Sequence, residues 1–332
     1  MNLNHAFLDT CLVDGEECFL LQYVDDSLIA GQPKAMDKLQ QEMRKYFKCK
    51  FIPPKDFLGL DLTITQPGHI QLAMHTFTSK MIDALQVRDG YPGEILTPGR
   101  TDKKIVRGEG IEPNDTFRSK VGSLNWLTMG IRYDVVYTTK ELSRVLAEPT
   151  KTANEILNRA LLYIKRTGNA YLEYSHDKMI QYKPPPTRKK PTDTTDAYDV
   201  TYNTTDDVIH EDEKERKQEY VKTGPTMSIV VKTDCDLAGQ TETRQTTTSL
   251  MVWVSGALVH WRAHTERIII PSTAAGEYVA LSKGNTTAKF VREVLKFYGN
   301  PHDNYFLYTD NQAAEHIATQ PTMCCTKLEQ VQ

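Results

Sequence analysis

Apolar residues recur with two distinct periods along this chain, and the change from one to the other divides it. Near the N-terminus, Cys18-Phe19-Leu20-Leu21-Gln22-Tyr23-Val24 reads as a buried strand and Ser27-Leu28-Ile29-Ala30-Gly31 as its returning partner. A helical stretch is predicted from Pro33 to Phe47. A strand-like segment follows over Phe57-Leu58-Gly59-Leu60-Asp61-Leu62-Thr63-Ile64 and ends near Pro67-Gly68. From about 75 to 175 the pattern is helical. Its clearest case is Ile156, Leu157, Ala160, Leu161 and Ile164, behind Thr152-Ala153-Asn154-Glu155 as a capping box and before Gly168 as a stop.

After residue 226 the order is β then α. Met227 to Thr233 is predicted as a strand leading into Asp234, and Ser249 to Val254 pairs with Ala257 to His264 across Ser255-Gly256. A long helix starts near Ser272-Thr273, with Phe290, Val291, Val294, Leu295 and Tyr298 on one face. Tyr305 to Thr309 forms a last strand ending at Asp310. Between these regions, residues 177 to 226 hold Pro184-Pro185-Pro186, many Thr and Asp, and the run Glu211-Asp212-Glu213-Lys214-Glu215-Arg216-Lys217. That composition predicts a partly disordered linker. The fold class implied is α/β in the broad sense, an α+β multidomain chain.

Composition adds bounds. The 332 residues suffice for two or three cores, and 39% hydrophobic with 25% charged residues is globular. A formal net charge of −3 excludes a uniformly basic coat, so contact with nucleic acid must be local. Residues 88 to 166 carry 14 Lys+Arg against 10 Asp+Glu, a modest excess that suits a phosphate backbone or a solvated helix face equally. The six cysteines have no CxxC or His/Cys zinc spacing, which predicts free thiols in a reduced intracellular setting, with Cys324-Cys325 incidental. No apolar run reaches the length of a membrane span, and Met1-Asn2-Leu3-Asn4-His5 has no basic region before an apolar core. Neither membrane insertion nor secretion is expected.

Two acidic constellations carry candidate chemistry. Asp25 and Asp26 fall at the predicted bend, where adjacent carboxylates repel unless a cation such as Mg²⁺ neutralises them; an ordinary Asp-Asp turn is the plainer reading. Asp234, Glu277 and Asp310 are predicted at a strand, in a helix and at a strand end, an arrangement that lets three distant carboxylates meet at one sheet edge and hold metal for phosphodiester hydrolysis. Singly, each has another reading: Asp234 or Asp236 caps a turn, Glu277 is solvated on its helix, and Asp310-Asn311 caps the next one.

The motifs in order resemble the copia-type LTR-retrotransposon polyprotein, over the end of its reverse transcriptase and most of its ribonuclease H. They are Tyr23-Val24-Asp25-Asp26, Phe57-Leu58-Gly59-Leu60-Asp61, Leu96-Thr97-Pro98, Val121-Gly122-Ser123-Leu124-Asn125-Trp126-Leu127, Leu142-Ser143-Arg144, Glu148-Pro149-Thr150 and Ala160-Leu161-Leu162-Tyr163-Ile164-Lys165. Thr233-Asp234-Cys235-Asp236-Leu237-Ala238-Gly239, Ser272-Thr273-Ala274-Ala275-Gly276-Glu277-Tyr278 and Thr309-Asp310-Asn311-Gln312-Ala313 complete the set.

The resemblance implies a division into the C-terminal part of a palm (1–75), a helical thumb or connection (76–176), the linker (177–226) and a ribonuclease H-like domain (227–332). It implies Asp25 and Asp26 as catalytic palm aspartates, and Asp234, Glu277 and Asp310 as ribonuclease H carboxylates, all binding Mg²⁺ with Mn²⁺ as a substitute. The order Asp, Glu, Asp separates this branch from transposases and integrases, which run Asp, Asp, Glu. The implied partners are an RNA–DNA hybrid or other nucleic acid, and deoxynucleotides if an upstream palm and fingers are supplied. The implied location is a cytoplasmic particle or the nucleus.

The chain also departs from the family. Only 24 residues precede Asp25, too few for the third palm carboxylate, and Asp9 and Asp14 lie too close in sequence to supply it. The sequence stops at Gln332, before the helix where the family places a fourth ribonuclease H carboxylate, and Leu237 stands where relatives usually have tryptophan. Two readings follow: a polymerase and ribonuclease fragment, or an incomplete relic or co-opted nucleic-acid-binding module without polymerase activity.

Overall fold

A computed structural model describes residues 6–13, 15–87, 93–100, 102–180, 227–240, 242–299 and 305–319. The chain is built from both helices and sheets. β1 (Ala6–Val13), β2 (Glu16–Tyr23) and β3 (Asp26–Gly31) form an antiparallel meander followed by α1 (Pro33–Tyr46). Tyr23 pairs with Asp26, so the bend consists of Val24 and Asp25, and Asp26 already belongs to β3. The expectation that both aspartates form the bend is corrected by one residue.

The strand expected over 57–64 is instead a tight hairpin. β4 (Asp56–Phe57) turns at Leu58-Gly59 into β5 (Leu60–Gln66), with φ of 54° and 80° at the two turn residues. Gly59 is needed twice: its φ suits the turn, and a Cβ there would stand 3.0 Å from the Trp126 ring. β6 (His69–Ala73) continues the sheet, and β7 (Tyr171–Ser175) adds to it from about 100 residues later, so the sheet joins residues on both sides of position 75.

Among the described residues, four α-helices lie between β6 and β7: α2 (His75–Ala84), α3 (Phe117–Gly130), α4 (Val136–Ser143) and α5 (Lys151–Arg166). Their apolar stripes share one core, including Met74, Phe117, Leu124, Leu127, Leu142, Leu157 and Ile164, with Leu60, Leu72 and Leu172 packed against it from the sheet. The apolar set read at helical spacing on α5 is buried as expected. The cap is not: the helix begins two residues early, with Thr150 Oγ1 accepting from the Ala153 amide at 3.1 Å, and Glu155 pairs with Lys103. The fully buried Thr150 satisfies the helix amide, and the Glu155 side chain that the box needed is drawn to Lys103 instead.

The C-terminal unit is a mixed sheet in the order β10-β9-β8-β11. β8 (Ile229–Asp236), β9 (Thr247–Val254) and β10 (Ala257–Thr265) are antiparallel. The β9–β10 turn at Ser255-Gly256 has φ of 48° and 90°, the left-handed pair that a two-residue hairpin favours. α6 (Thr273–Phe297) then crosses the sheet to β11 (Tyr305–Tyr308), which runs parallel to β8, and α7 (Gln312–Thr319) follows. Ser272 caps α6 by accepting from the Ala275 amide at 3.2 Å. Of the face expected on α6, Val291 and Leu295 pack against the core of the sheet, while Phe290 is exposed. The fully buried positions lie earlier on the helix, at Gly276, Glu277, Ala280, Leu281, Gly284 and Ala288.

The predicted linker lies outside the described residues over 181–226. Residues 177–180 are ordered, and Ile180 lies in place by a 2.8 Å bond from its amide to the Ser255 carbonyl. Ser228 Oγ donates to the Ile180 carbonyl at 3.1 Å, so the two ends of the segment meet. Cys324-Cys325 also lies outside the described residues.

Candidate metal centre

Three elements deliver the carboxylates. Asp234 comes from β8, Glu277 from the second turn of α6, and Asp310 follows β11, which lies beside β8 in parallel. One ligand oxygen from each lies within 4.8 Å of the others. Asp234 and Asp310 are exposed, whereas Glu277 is 3% exposed. The close approach has a sequence cause: a Cβ at Gly276 would stand 2.3 Å from Cys235 Sγ, and one at Gly284 would stand 2.8 Å from Thr233 Cγ2, so glycines eight apart let α6 settle onto β8.

Burial, and then the charges of Asp234 and Asp310, push the Glu277 carboxyl above its ordinary pKa; the Cys235 amide and the Thr309 hydroxyl, 3.4 Å away, act in the opposite sense. The Cys235 thiol is pushed up to about 12, first by burial and then by the Glu277 and Asp234 charges, so it stays protonated. A hard, all-oxygen donor set with repelling charges fits Mg²⁺ or Mn²⁺ rather than zinc. The plainer reading of Glu277 as a solvated helix residue fails, since it is buried; that of Asp310-Asn311 holds for Asn311, whose Oδ1 caps α7 by accepting from the Ala314 amide at 3.0 Å, and leaves the Asp310 carboxylate for the cluster.

Asp25 and Asp26 are both exposed, and among the described residues no third acid joins them in a ligand cluster. Val24 beside them has φ of 51°, strained for a β-branched residue.

Sequence reasoning missed the contacts that bind the C-terminal unit to the helical region. Tyr137 on α4 donates to Asp236 Oδ2 at 3.2 Å, and the Trp261 indole donates to the Thr128 carbonyl at 2.7 Å while its ring meets Tyr133. Arg144 bridges Glu141 at 2.6 Å and Glu242 at 2.9 Å. Arg144 lies in a quoted motif, but nothing local to it identifies Glu242 as its partner.

An acidic triad held at the edge of a mixed sheet, together with the ordered motifs, is the property of a chain similar to the Pol polyproteins of copia-type retrotransposons. Over 305 residues it is 22% identical to a retrovirus-related Pol polyprotein from transposon TNT 1-94 of Nicotiana tabacum, and over 308 residues 21% identical to that from transposon RE2 of Arabidopsis thaliana. These alignments cover 89% and 91% of this chain but 19% and 18% of the relatives, so the chain spans about a fifth of their length. An uncharacterized mitochondrial protein of Arabidopsis thaliana is 24% identical over 266 residues, 80% of this chain and 90% of that one. No protein-family model matches the chain. No solved structure matches it either. Among the described residues no helix is long and apolar enough to cross a membrane.

Proposed function

We propose that the chain is a fragment of a retrotransposon RNA-directed DNA polymerase whose C-terminal unit is a ribonuclease H-like domain acting on the RNA strand of an RNA–DNA hybrid. The observation that carries this reading is the convergence of Asp234, Glu277 and Asp310 to within 4.8 Å, in the order Asp, Glu, Asp. These three residues would hold the divalent cations, which when bound supply an activated water and stabilise charge on the leaving oxygen. The protein's own part is positional. Asp234 and Asp310, exposed at adjacent parallel strands, face the solvent from which substrate arrives, and buried Glu277 is fixed beneath them by the Cys235 amide.

In this reading residues 6–73 are palm-derived and the α2–α5 region is a thumb or connection. Among the described residues no companion acid joins Asp25 and Asp26, which favours hydrolysis over polymerisation by this chain; the relic reading applies to the polymerase half. The test is melting of the chain with Mg²⁺ and Mn²⁺, together with cleavage of an end-labelled RNA–DNA hybrid, compared with Asp234→Asn, Glu277→Gln and Asp310→Asn. Metal-dependent stabilisation lost in all three variants is the result expected. Melting indifferent to metal, with cleavage absent or equal in every variant, would overturn the site.

A further inference from the structure

The Asp234 carboxylate takes no hydrogen bond or ion pair from any described residue, whereas Glu277 is held by the Cys235 amide and the Thr309 hydroxyl. Without metal, the neighbouring carboxylates push Asp234 outward, so its place in the cluster depends on the backbone that carries it. That backbone is the end of β8. Asp234 pairs with Ser249, Cys235 with Thr248 and Asp236 with Thr247, and there the ladder stops. The ends of a strand open more readily than its middle, and opening two pairs here reaches Asp234.

The helical region closes this end from outside the sheet. Tyr137, Lys140 and Arg144 stand at i, i+3 and i+7, along one face of α4 and its C-terminal cap. Tyr137 Oη donates to Asp236 Oδ2 at 3.2 Å and Lys140 Nζ to Thr247 Oγ1 at 2.5 Å, so both members of the terminal pair are gripped by one helix. Arg144 pairs with Glu242 at 2.9 Å in the loop that joins the two strands, and the Arg107 amide donates to the same carboxylate at 2.6 Å. Asp236 leaves the same face of β8 as Asp234, but its oxygens are not among the converging ligand atoms. They lie against the loop backbone instead, where a Cβ at Gly239 would stand 2.0 Å from Asp236 Oδ2.

We propose that Tyr137 is a positioning residue of the metal centre: by holding Asp236 it pins the end of β8 and keeps Asp234 in reach of Glu277 and Asp310. The assignment rests on the function proposed above. It makes the polar face of α4 part of the apparatus that binds the cation, although no α4 side chain reaches the cluster. Hydrogen-bond partners one step behind a metal ligand tune its affinity by fixing where the ligand atom stands, and Tyr137 does so through two residues of strand.

The experiment uses the full chain far below its melting temperature. Mn²⁺ binding is followed by EPR, and amide hydrogen exchange along β8 is measured in EDTA. The variants are Tyr137→Phe, Asp236→Ala, Asp236→Asn, the double variant Tyr137→Phe/Asp236→Ala and, as a control, Trp261→Phe. The control loses the indole bond to the Thr128 carbonyl, which ties the same two parts of the chain together on β10, with β9 between it and β8.

Tyr137→Phe and Asp236→Ala should each weaken Mn²⁺ by about 3- to 10-fold. Each should also speed exchange at 234–236 by about 3- to 10-fold, the size of one hydrogen bond, and leave 229–231 unchanged. Asp236→Asn keeps an oxygen that accepts from the phenol and should bind as the wild type does. The double variant should be no weaker than either single one, because both remove the same link. Trp261→Phe should retain wild-type affinity. Wild-type Mn²⁺ affinity in Tyr137→Phe, or an equal loss in Trp261→Phe, would overturn the proposal. Additive losses in the double variant would overturn the route through Asp236. Failure of the proposed function reads differently: the wild type then shows no saturable Mn²⁺ binding, and exchange at 234–236 decides whether Tyr137 pins the strand.

Discussion

The phenol of Tyr137, on a helix of the central region, donates to Asp236 Oδ2 at 3.2 Å, two residues beyond the metal-site Asp234. Burial, and then the charges of Glu141 and Asp236, raise the Tyr137 pKa, so the phenol remains a donor through the neutral range. One face of the mixed sheet packs under α6 and an edge of it is tied to the helical region. The acidic site therefore sits where two parts of the chain meet.

That junction depends on Arg144. Its side chain is 8% exposed and bridges Glu141 and Glu242. Arg144→Ala leaves the partly buried Glu242 without its cation and Glu141 with Lys140 alone, and should cost about 3 kcal/mol. Tyr137→Phe should cost about 1 kcal/mol. Urea unfolding of both variants checks the order; equal midpoints for Arg144→Ala and the wild type would refute it.

Glu277 sets a pH dependence. Its folded pKa is raised above the ordinary 4.5, so its contribution to stability is fully present below that value and is lost as pH rises through the folded pKa. Without metal, Glu277→Gln should therefore melt above the wild type at pH 7, and the gain should vanish near pH 4. Added Mg²⁺ should reverse the ranking, stabilising the wild type by about 2.7 kcal/mol at a hundredfold excess over its dissociation constant and leaving the variant unchanged. Calorimetry at the two pH values with and without Mg²⁺ decides.

The α6–β8 contact tolerates no added side chain at Gly284, where Thr233 Cγ2 and Val231 Cγ1 stand 2.8 and 3.2 Å from a built Cβ. Gly284→Val should destabilise by about 2–3 kcal/mol and loosen the metal site along with the fold. Chemical denaturation gives the first effect and metal-dependent melting the second. A variant as stable as the wild type would show that α6 can lift without cost.

Proteolysis should cut first between 181 and 226, a stretch rich in proline, threonine and mixed charge whose composition offers little apolar surface to offset the entropy of ordering. Because Ser228 and Ile180 are hydrogen-bonded and Arg144, Tyr137 and Trp261 cross the junction, the nicked halves should co-elute in gel filtration. Initial cleavage within 133–166, or separation of the halves, would contradict this.

Purified alone, the chain should not extend an RNA-templated DNA primer, since among its described residues Asp25 and Asp26 have no third acid to share a metal. Labelled nucleotide incorporation that Asp25→Asn abolishes would disprove it.

The sequence by itself determined the elements whose signals are local. The helical spacing in α5, the Ser255-Gly256 turn and the strand, helix, strand order of Asp234, Glu277 and Asp310 need only neighbours a few residues apart. Tertiary structure decided what depends on distant partners. It moved the α5 cap to Thr150, a buried threonine that satisfies the Ala153 amide, while Glu155 of the box downstream is taken by Lys103 from 52 residues earlier. It broke the 57–64 strand at Leu58-Gly59, where the Trp126 ring leaves no room for a Cβ, and carried β7 back to β6 across about 100 residues. It turned α6 onto its glycine and alanine positions, continued by Val291 and Leu295, and left Phe290 outside, because small side chains near Glu277 let the helix come close enough to β8 for Glu277 to reach Asp234. Periodicity says which residues share a face; the volume left by the opposing surface decides which face is used.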